Sequence, residues 1–216
     1  MNNGQRFVKR AFDFVFSLLG LMFLFPLGCI VAIAVKYSSK GPVFFNQLRI
    51  GIQGKPFRCI KFRTMYTGAD KLGTITTALD SRITPLGRVL RKFKLDELPQ
   101  LWNVLIGKMS FVGPRPDVKG YADALEGKSR EILKLWPGIT GPASLYFKDE
   151  EMLLSLQENP NEYNDKIIWP KKVELNLAYL ENWGFGKDIG YILITIIPVL
   201  DRLFHLLPSE ESFLKG

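Results

Sequence analysis

The chain has 216 residues, enough for one domain with a substantial core and a few appended segments. Its 29 lysines and arginines outnumber its 21 acids, and the net charge of +8 favours anionic partners such as phosphorylated ligands, anionic lipid or nucleic acid. The two cysteines, which we expect to be reduced and buried, lack the spacing of a metal site, and the glycine-rich fingerprints of the common nucleotide-binding loops are missing from the sequence.

An apolar run opens the chain. Residues 14–35 carry Ser17 as their one polar side chain, and a helix of this length would measure about 33 Å, enough to cross a bilayer core of about 30 Å. Three interpretations compete. A signal peptide is disfavoured because no cleavage site follows, and a simple spanning helix is the default. Pro26 near the middle and basic residues at both ends favour a third, a re-entrant helix that breaks at Pro26 and returns to the same face.

Residues 43–50 and 57–63 flank the turn 51–56, a pattern that predicts a β-hairpin. Lys61 and Arg63 would share one face of its second strand, either as a solvated edge or as an anion-binding surface. A loop is expected over 68–84. Residues 85–93, which include Arg91, then predict a basic amphipathic helix that lies on anionic membrane or faces solvent.

Two adjacent carboxylates, Asp96 and Glu97, open the next apolar-periodic run. The spacing of Leu98, Leu101 and Leu105 predicts a helix with Asp96 at its N-cap. Acids at a helix start are often structural, because the free N–H groups and the helix dipole stabilise them. The same environment would also keep Asp96 ionised and direct N–H groups at an incoming phosphate.

The loop 107–120 holds an arginine between two prolines. Because Pro114 and Pro116 restrict the backbone, Arg115 loses little entropy on binding and suits bidentate contact with phosphate. Further helices are predicted over 122–135, 150–157 and 171–182, and an apolar segment over 189–200 is placed in the core or at the membrane interface. The acids at 149–151 are expected to begin a helix without a chemical role, and His205 is expected to pack.

These residues indicate phosphoryl chemistry. A Ser-His-Asp or Cys-His mechanism has no partners here, whereas an aspartate can attack phosphorus and form an acyl phosphate. A Mg²⁺ ion held by Asp96 and Glu97 and shared with the phosphates would offset the charge. Arg115 satisfies the need for a fixed cation, and Arg91, Lys61 and Arg63 are available beside it.

Taken together, a series of motifs in constant order resembles the bacterial sugar transferase family, the monotopic phosphoglycosyl transferases. The motifs are Lys9-Arg10-x-x-Asp13, Gln47-x-Arg49-x-Gly51, Lys61-Phe62-Arg63, Leu95-Asp96-Glu97-Leu98-Pro99, Gly113-Pro114-Arg115-Pro116 and Pro137-Gly138-Ile139-Thr140-Gly141. Phe25 departs from the pattern, because many members carry a serine before the helix-breaking proline. The early start of the apolar helix resembles the small members of the family that consist of the catalytic core.

The resemblance implies transfer of a sugar 1-phosphate from a UDP-sugar to polyprenol (undecaprenyl) phosphate, with release of UMP, as the first membrane step of glycoconjugate assembly. It implies that Asp96 is the nucleophile, that Glu97 is its magnesium-associated partner, and that Arg115 binds phosphate. Arg91, Lys61 and Arg63 match basic positions of the family, and the helix break falls on Pro26.

The expected fold is α+β and mainly helical, with a re-entrant membrane segment, a small hairpin and amphipathic interfacial helices around a compact cytosolic core. The segments are 1–40 (basic flank and membrane helix), 41–207 (catalytic domain) and 208–216 (tail). The expected location is the cytoplasmic face of the bacterial inner membrane. The expected partners are a UDP-sugar, polyprenol phosphate and anionic lipid, without nucleic acid, and a homodimer is left open. The alternative is a non-catalytic, membrane-anchored module that binds nucleotide sugars or anionic lipid.

Overall fold

The computed structural model describes residues 1–69, 76–77, 80–197 and 200. The described residues are mainly helical, with short strands, as expected for the α+β class. The elements are α1 (Asn3–Ser38), β1 (Phe44–Ile50), β2 (Pro56–Phe62), α2 (Pro85–Lys92), α3 (Gln100–Leu105), β3 (Ser110–Val112), β4 (Gly138–Thr140), α4 (Pro142–Tyr146), α5 (Glu150–Ser155), α6 (Pro160–Tyr163), α7 (Trp169–Glu181) and α8 (Phe185–Ile196).

Helix α1 is 36 residues long and is long and apolar enough to cross a membrane. Pro26 lies within this helical span, where it removes one backbone donor. The predicted break at Pro26 and the re-entrant path through a bilayer stay predictions.

Both ends of α1 are bound to the same domain. Near the start, buried Lys9 pairs with Asp188 of α8, and Asp13 accepts hydrogen bonds from Ser110 and Phe111 at β3. Near the end, Val35 is fully buried in the core beside Phe62 and Leu90. Residues 18–30 between these contacts include no buried side chain, and most of them are strongly exposed apolar residues.

Strands β1 and β2 form the predicted antiparallel hairpin, in which Phe44 pairs with Phe62 and Ile50 with Pro56. A second pairing was not predicted: β3 and β4 lie parallel, with Ser110 beside Gly138. Sequence patterns showed only two glycine- and proline-rich loops there, because three-residue strands carry too few side chains to display an alternation. This pairing brings the loop around Arg115 to a fixed place beside the hairpin.

Several other expectations need correction. The helix predicted over 122–135 is two 3₁₀ segments, Ala122–Ala124 and Gly127–Lys134, since Gly127 adopts a positive φ of 54° that interrupts a regular helix. Of the two cysteines, Cys59 is buried as expected, but Cys29 is exposed on α1. Within the apolar segment 189–200, residues 189–196 form the end of α8. His205 and the tail 208–216 lie outside the described residues.

Candidate active site

Asp96 and Glu97 lie in a 3₁₀ turn, Leu95–Glu97, between α2 and α3. The expected helix begins later, at Gln100, so Asp96 is not its N-cap and its side chain makes no capping hydrogen bond. Lys94 causes the difference: its left-handed backbone, with φ of 56°, ends α2 and starts the tighter turn. Both carboxylates are only 7% exposed, because the neighbouring Leu95 and Leu98 pack into the core beside α1.

Glu97 is held by two cations from different elements. Its Oε1 accepts hydrogen bonds from Lys61 Nζ of β2 and from Arg115 Nη2 of the loop after β3, both at 2.8 Å. Burial alone would raise the pKa of Glu97, but Arg115 and Lys61 outweigh it and hold the pKa far below its usual range. Glu97 in turn raises the pKa of Arg115. The three side chains therefore form a fixed, ionised unit.

Asp96 stands beside this unit without a bond of its own. Its carboxylate accepts no hydrogen bond from the described residues, and burial raises its pKa, although Lys61 opposes the rise and Glu97 adds to it. A buried carboxylate without donors is costly to maintain, so its oxygens are available to a ligand or a reacting atom. Positive charge from Lys61, Arg91 and Arg115 reaches it and favours the ionised form that a nucleophile requires.

The loop that carries Arg115 is clamped from both sides. On one side, Gly113 N donates to Thr140 O and Gly138 N donates to Pro114 O. A side chain at Gly113 would meet Trp136 O at 2.1 Å, so the strands approach this closely only because glycine is present. The Arg115 side chain remains 40% exposed, within reach of a soluble ligand.

The other clamp explains a sequence motif that had no predicted role. Arg49 of β1 donates from Nη1 to Pro116 O at 3.0 Å, and its other nitrogens donate to Gln47 Oε1. Ile50 N also donates to Asp117 O at 2.8 Å. The Gln47-x-Arg49 pattern therefore fixes residues 116–117, and with them the direction of Arg115.

Helix α5 and helix α7 add partners that the sequence did not reveal. Arg91, a predicted site residue, pairs with Glu151, and Lys172 of α7 pairs with Glu150 at 2.7 Å. The acids at 149–151 were expected only to begin a helix. Their separation of about 60 residues from Arg91 left no local signal for these contacts.

Two predicted site residues lie elsewhere. Arg63 follows β2 and turns to the end of α1, where its Nη2 donates to Val35 O, Ser39 O and Ser39 Oγ. It therefore caps a helix and takes no part in the Glu97 unit. Pro26 lies in the exposed middle of α1. Asp96, Glu97, Lys61 and Arg115 are brought together as predicted, with Arg91 nearby.

Two clefts flank Arg115. One is lined by Arg49, Cys59, Lys61, Gln100, Arg115 and Pro116. The other is also lined by Arg115, and Asp117 forms part of its wall. A phosphate bound to Arg115 would thus lie at the edge of both clefts.

The donor set for a metal ion is small. Among the described residues no group of three or more His, Cys, Asp or Glu side chains lies close enough to hold a metal. The available ligands are Asp96 and the second oxygen of Glu97, which accepts no hydrogen bond from the described chain. This set fits Mg²⁺, which is bound through one or two carboxylates together with substrate phosphates and water.

The chain is similar to a known protein family and to several of its members. The family model described as bacterial sugar transferase matches residues 4–202. The chain is 40% identical over 198 residues to the "UDP-glucose:undecaprenyl-phosphate glucose-1-phosphate transferase" of Escherichia coli, which covers 89% of this chain but 40% of that protein. It is 35% identical to the "Uncharacterized sugar transferase EpsL" of Bacillus subtilis, over 89% of this chain and 87% of that one.

A third relative, the "UDP-N-acetylgalactosamine-undecaprenyl-phosphate N-acetylgalactosaminephosphotransferase" of Aeromonas hydrophila, is 32% identical over 90% of this chain and 44% of its own length. The chain therefore spans less than half the length of the Escherichia and Aeromonas relatives. The Asp96 turn and the Arg115 loop both lie within the residues that match the family model. The Escherichia relative is named for glucose and the Aeromonas relative for N-acetylgalactosamine.

Proposed function

The chain belongs to the bacterial sugar transferase family, and on that premise we propose that it is a phosphoglycosyl transferase. It moves a sugar 1-phosphate from a UDP-sugar to polyprenol phosphate, in the bacterial inner membrane with its domain on the cytoplasmic face. The observation that carries the proposal is the pairing of a buried, unbonded Asp96 with a Glu97 fixed by Lys61 and Arg115. UDP-glucose is the first donor to test, since the Escherichia relative is named for it.

The reaction proceeds in two displacements at phosphorus. An Asp96 oxygen attacks the sugar-bearing phosphorus, the bond between that phosphorus and the bridging oxygen breaks, and UMP leaves with the electron pair. An oxygen of polyprenol phosphate then attacks the same phosphorus and releases the Asp96 carboxylate. The donor binds from the cytosol and the acceptor stays in the bilayer, so the two steps use ligands that arrive from opposite sides.

The surrounding residues lower the charge barrier for an anion that attacks an anion. Arg115 and Lys61 are positioned to contact the diphosphate while they remain paired with Glu97, and Arg91 adds positive charge toward Asp96. Glu97 keeps both cations in place when no ligand is bound. A bound Mg²⁺ on Asp96 and Glu97 would supply further neutralisation of the diphosphate.

The contacts of α1 support a re-entrant path. Residues 18–30, the stretch without buried side chains, would span about 20 Å as a helix, less than the bilayer core of about 30 Å. The helix is bound to the same domain on both sides of this stretch, through Lys9 and through Val35. A membrane that received the exposed middle would therefore have both ends of the helix on one face. The low burial of the apolar window, 11%, argues against a core helix of a soluble protein.

Cysteine accessibility tests this path. In a Cys29→Ala, Cys59→Ser background, Asn2→Cys and Lys40→Cys would each be treated with a membrane-impermeant maleimide, in right-side-out spheroplasts and in inverted vesicles. Both positions are expected to react only in inverted vesicles. Reaction of the two positions on opposite faces would overturn the re-entrant path without affecting the proposed chemistry.

The chemistry is tested by UMP release. The full chain in lipid nanodiscs would be given UDP-glucose, UDP-galactose and their N-acetylated counterparts, with undecaprenyl phosphate and Mg²⁺. Release of UMP with at least one donor is expected, and omission of Mg²⁺ should abolish it. A folded protein that binds these donors but releases no UMP from any of them would instead favour the membrane-anchored binding module.

A further inference from the structure

We infer that Asp117 is a specificity-determining residue that accepts hydrogen bonds from a vicinal diol of the donor substrate, in the cleft beside Arg115. The inference rests on the proposed function for the identity of the donor. It assigns a role to a carboxylate that the two displacements at phosphorus do not use, and to a cleft that Arg115 lines but Lys61 does not.

The backbone holds Asp117 in register with Arg115. Two residues separate them, and both Pro116 O and Asp117 O are fixed by donors from β1, Arg49 Nη1 and Ile50 N. Arg115 lines both clefts, so a phosphate on its guanidinium has the groups attached to it directed toward one cleft or the other. A group that enters the second cleft meets Asp117.

The lining of this cleft offers a ligand few polar contacts. Arg115 and Asp117 are its charged side chains, and the remaining lining is uncharged: Ile50, Gly51, Pro114, Ala122, Ile132, Leu133, Leu135 and Pro137. A carboxylate on an otherwise apolar wall orients a ligand through a small number of polar contacts. Its two oxygens can each accept from one of two neighbouring hydroxyls.

Asp117 is not occupied by a structural contact. Its carboxylate has no hydrogen bond or ion pair with the part of the chain that the structure describes. The cations around it each have another partner: Arg49 donates to Gln47 and Pro116, Lys172 to Glu150, and Arg115 to Glu97. A half-buried acid that stands among three cations and pairs with none has its acceptors free for a ligand.

The pKa values of Glu97 and Asp117 are shifted in opposite directions. Burial raises the pKa of Asp117 to about 6, because Lys172, Arg49 and Arg115 only partly offset it and Glu150 adds to it. For Glu97, direct bonds to its cations reverse the effect of burial. Hydroxyl donors from a sugar would do for Asp117 what Lys61 and Arg115 do for Glu97.

The diol has two sources in a UDP-sugar, the transferred sugar and the ribose, and a double-mutant cycle distinguishes them. kcat/KM would be measured for the wild type and Asp117→Asn with the parent donor, with donors that lack single sugar hydroxyls, and with the 2′-deoxyribose donor. Asp117→Asn is expected to lose about 10- to 100-fold with the parent donor. With the donor that lacks the contacted hydroxyl, the same substitution should change little.

The position of the non-additive pair assigns the source. Non-additivity with a sugar hydroxyl places the transferred sugar in this cleft, and non-additivity with the ribose hydroxyl places the nucleoside there. An equal loss for every donor, or no loss at all, would overturn the inference and leave Asp117 a charge balance for its three cations. Asp149→Asn is the matched control, because Asp149 is exposed and makes no capping hydrogen bond.

The test does not depend on turnover. The same cycle would be measured as donor binding by calorimetry, with Asp96→Asn as the common background. Failure of the proposed function would appear as absence of UMP release by the wild type. Failure of the Asp117 inference would appear as additive effects of the substitution and the missing hydroxyl on donor binding. Thermal unfolding of Asp117→Asn confirms that the fold is kept.

Discussion

The contacts of Asp13 and Asp188 that hold α1 against the domain, here called the anchor, and the candidate active site both use carboxylates. They differ in whether those carboxylates accept hydrogen bonds from the chain. In the anchor, Asp13 accepts from Arg10, Ser110 and Phe111, and Asp188 accepts from Lys9, Tyr179 and Trp183. In the candidate active site, Asp96 and Asp117 accept from none of the described residues. Carboxylates whose acceptors are filled by the chain stabilise the fold, and we propose that the two whose acceptors are empty bind a ligand.

Removal of the Asp96 carboxylate should give the largest loss on the active-site side. Asp96→Asn is expected to lower UMP release by about 10³-fold or more, because the amide cannot attack phosphorus. Since burial raises the pKa of Asp96, the neutral amide should leave the melting temperature equal or higher. Steady-state kinetics and thermal unfolding would be compared with Asp149→Asn, which should match the wild type in both.

Substitution of Arg115 tests whether both cations are needed to keep Glu97 ionised. Arg115→Ala should lower kcat/KM by about 10²-fold through lost phosphate contact. With one cation gone, burial is less opposed and the pKa of Glu97 should climb, so the acidic limb of the pH profile should move to higher pH. An unchanged acidic limb would contradict the role of Glu97 in the ionised unit. Arg130→Ala, an exposed arginine outside the clefts, serves as control.

Arg63 sharpens the comparison from the anchor side. Arg63→Ala removes three hydrogen bonds at the end of α1 and should destabilise the fold by about 2–3 kcal/mol. KM for the donor should stay unchanged in the protein that remains folded. A raised KM with unchanged thermal stability would restore the phosphate-binding role that the sequence predicted.

The smallest of these effects should be the change in melting temperature of Asp117→Asn, a gain that depends on pH. Its folded pKa of about 6 exceeds its ordinary 3.8, so the cost of ionising it in the fold is absent below about pH 4 and complete above pH 6. Asp117→Asn should therefore raise the melting temperature by about 2–4 °C at pH 8 and change it little at pH 4. An equal shift at both pH values would contradict the assigned pKa.

The sequence was a better guide to the site than to the anchor. Asp96, Glu97, Lys61 and Arg115 could be selected because each stands in a local pattern with a chemical meaning. Arg63 could not be told from Lys61, since both were expected on one face of the second strand and only the packing of α1 separates their partners. The same limit applied to Lys9 and Arg10, which resembled a basic membrane flank and are instead bound within the domain.

Features that depend on a short element or on residues far apart in the chain could not be predicted from the sequence either. Trp102 fits the apolar periodicity of α3 yet is 50% exposed, because α3 has only six residues and turns this face away from the core. Asp117 carried no motif at all. Its candidacy depends on the clamp by β1 and on neighbours from α7, which a linear pattern does not display.

The most direct test of the central claim is intact-protein mass spectrometry of the chain given its UDP-sugar without polyprenol phosphate. A nucleophilic Asp96 predicts a mass increase equal to one sugar phosphate joined with loss of water, located on the peptide that contains Asp96 and removed when polyprenol phosphate is added. Asp96→Asn should show no adduct, and Asp149→Asn should show it in full. Turnover without any adduct in the wild type, or an adduct that persists in Asp96→Asn, would contradict Asp96 as the nucleophile.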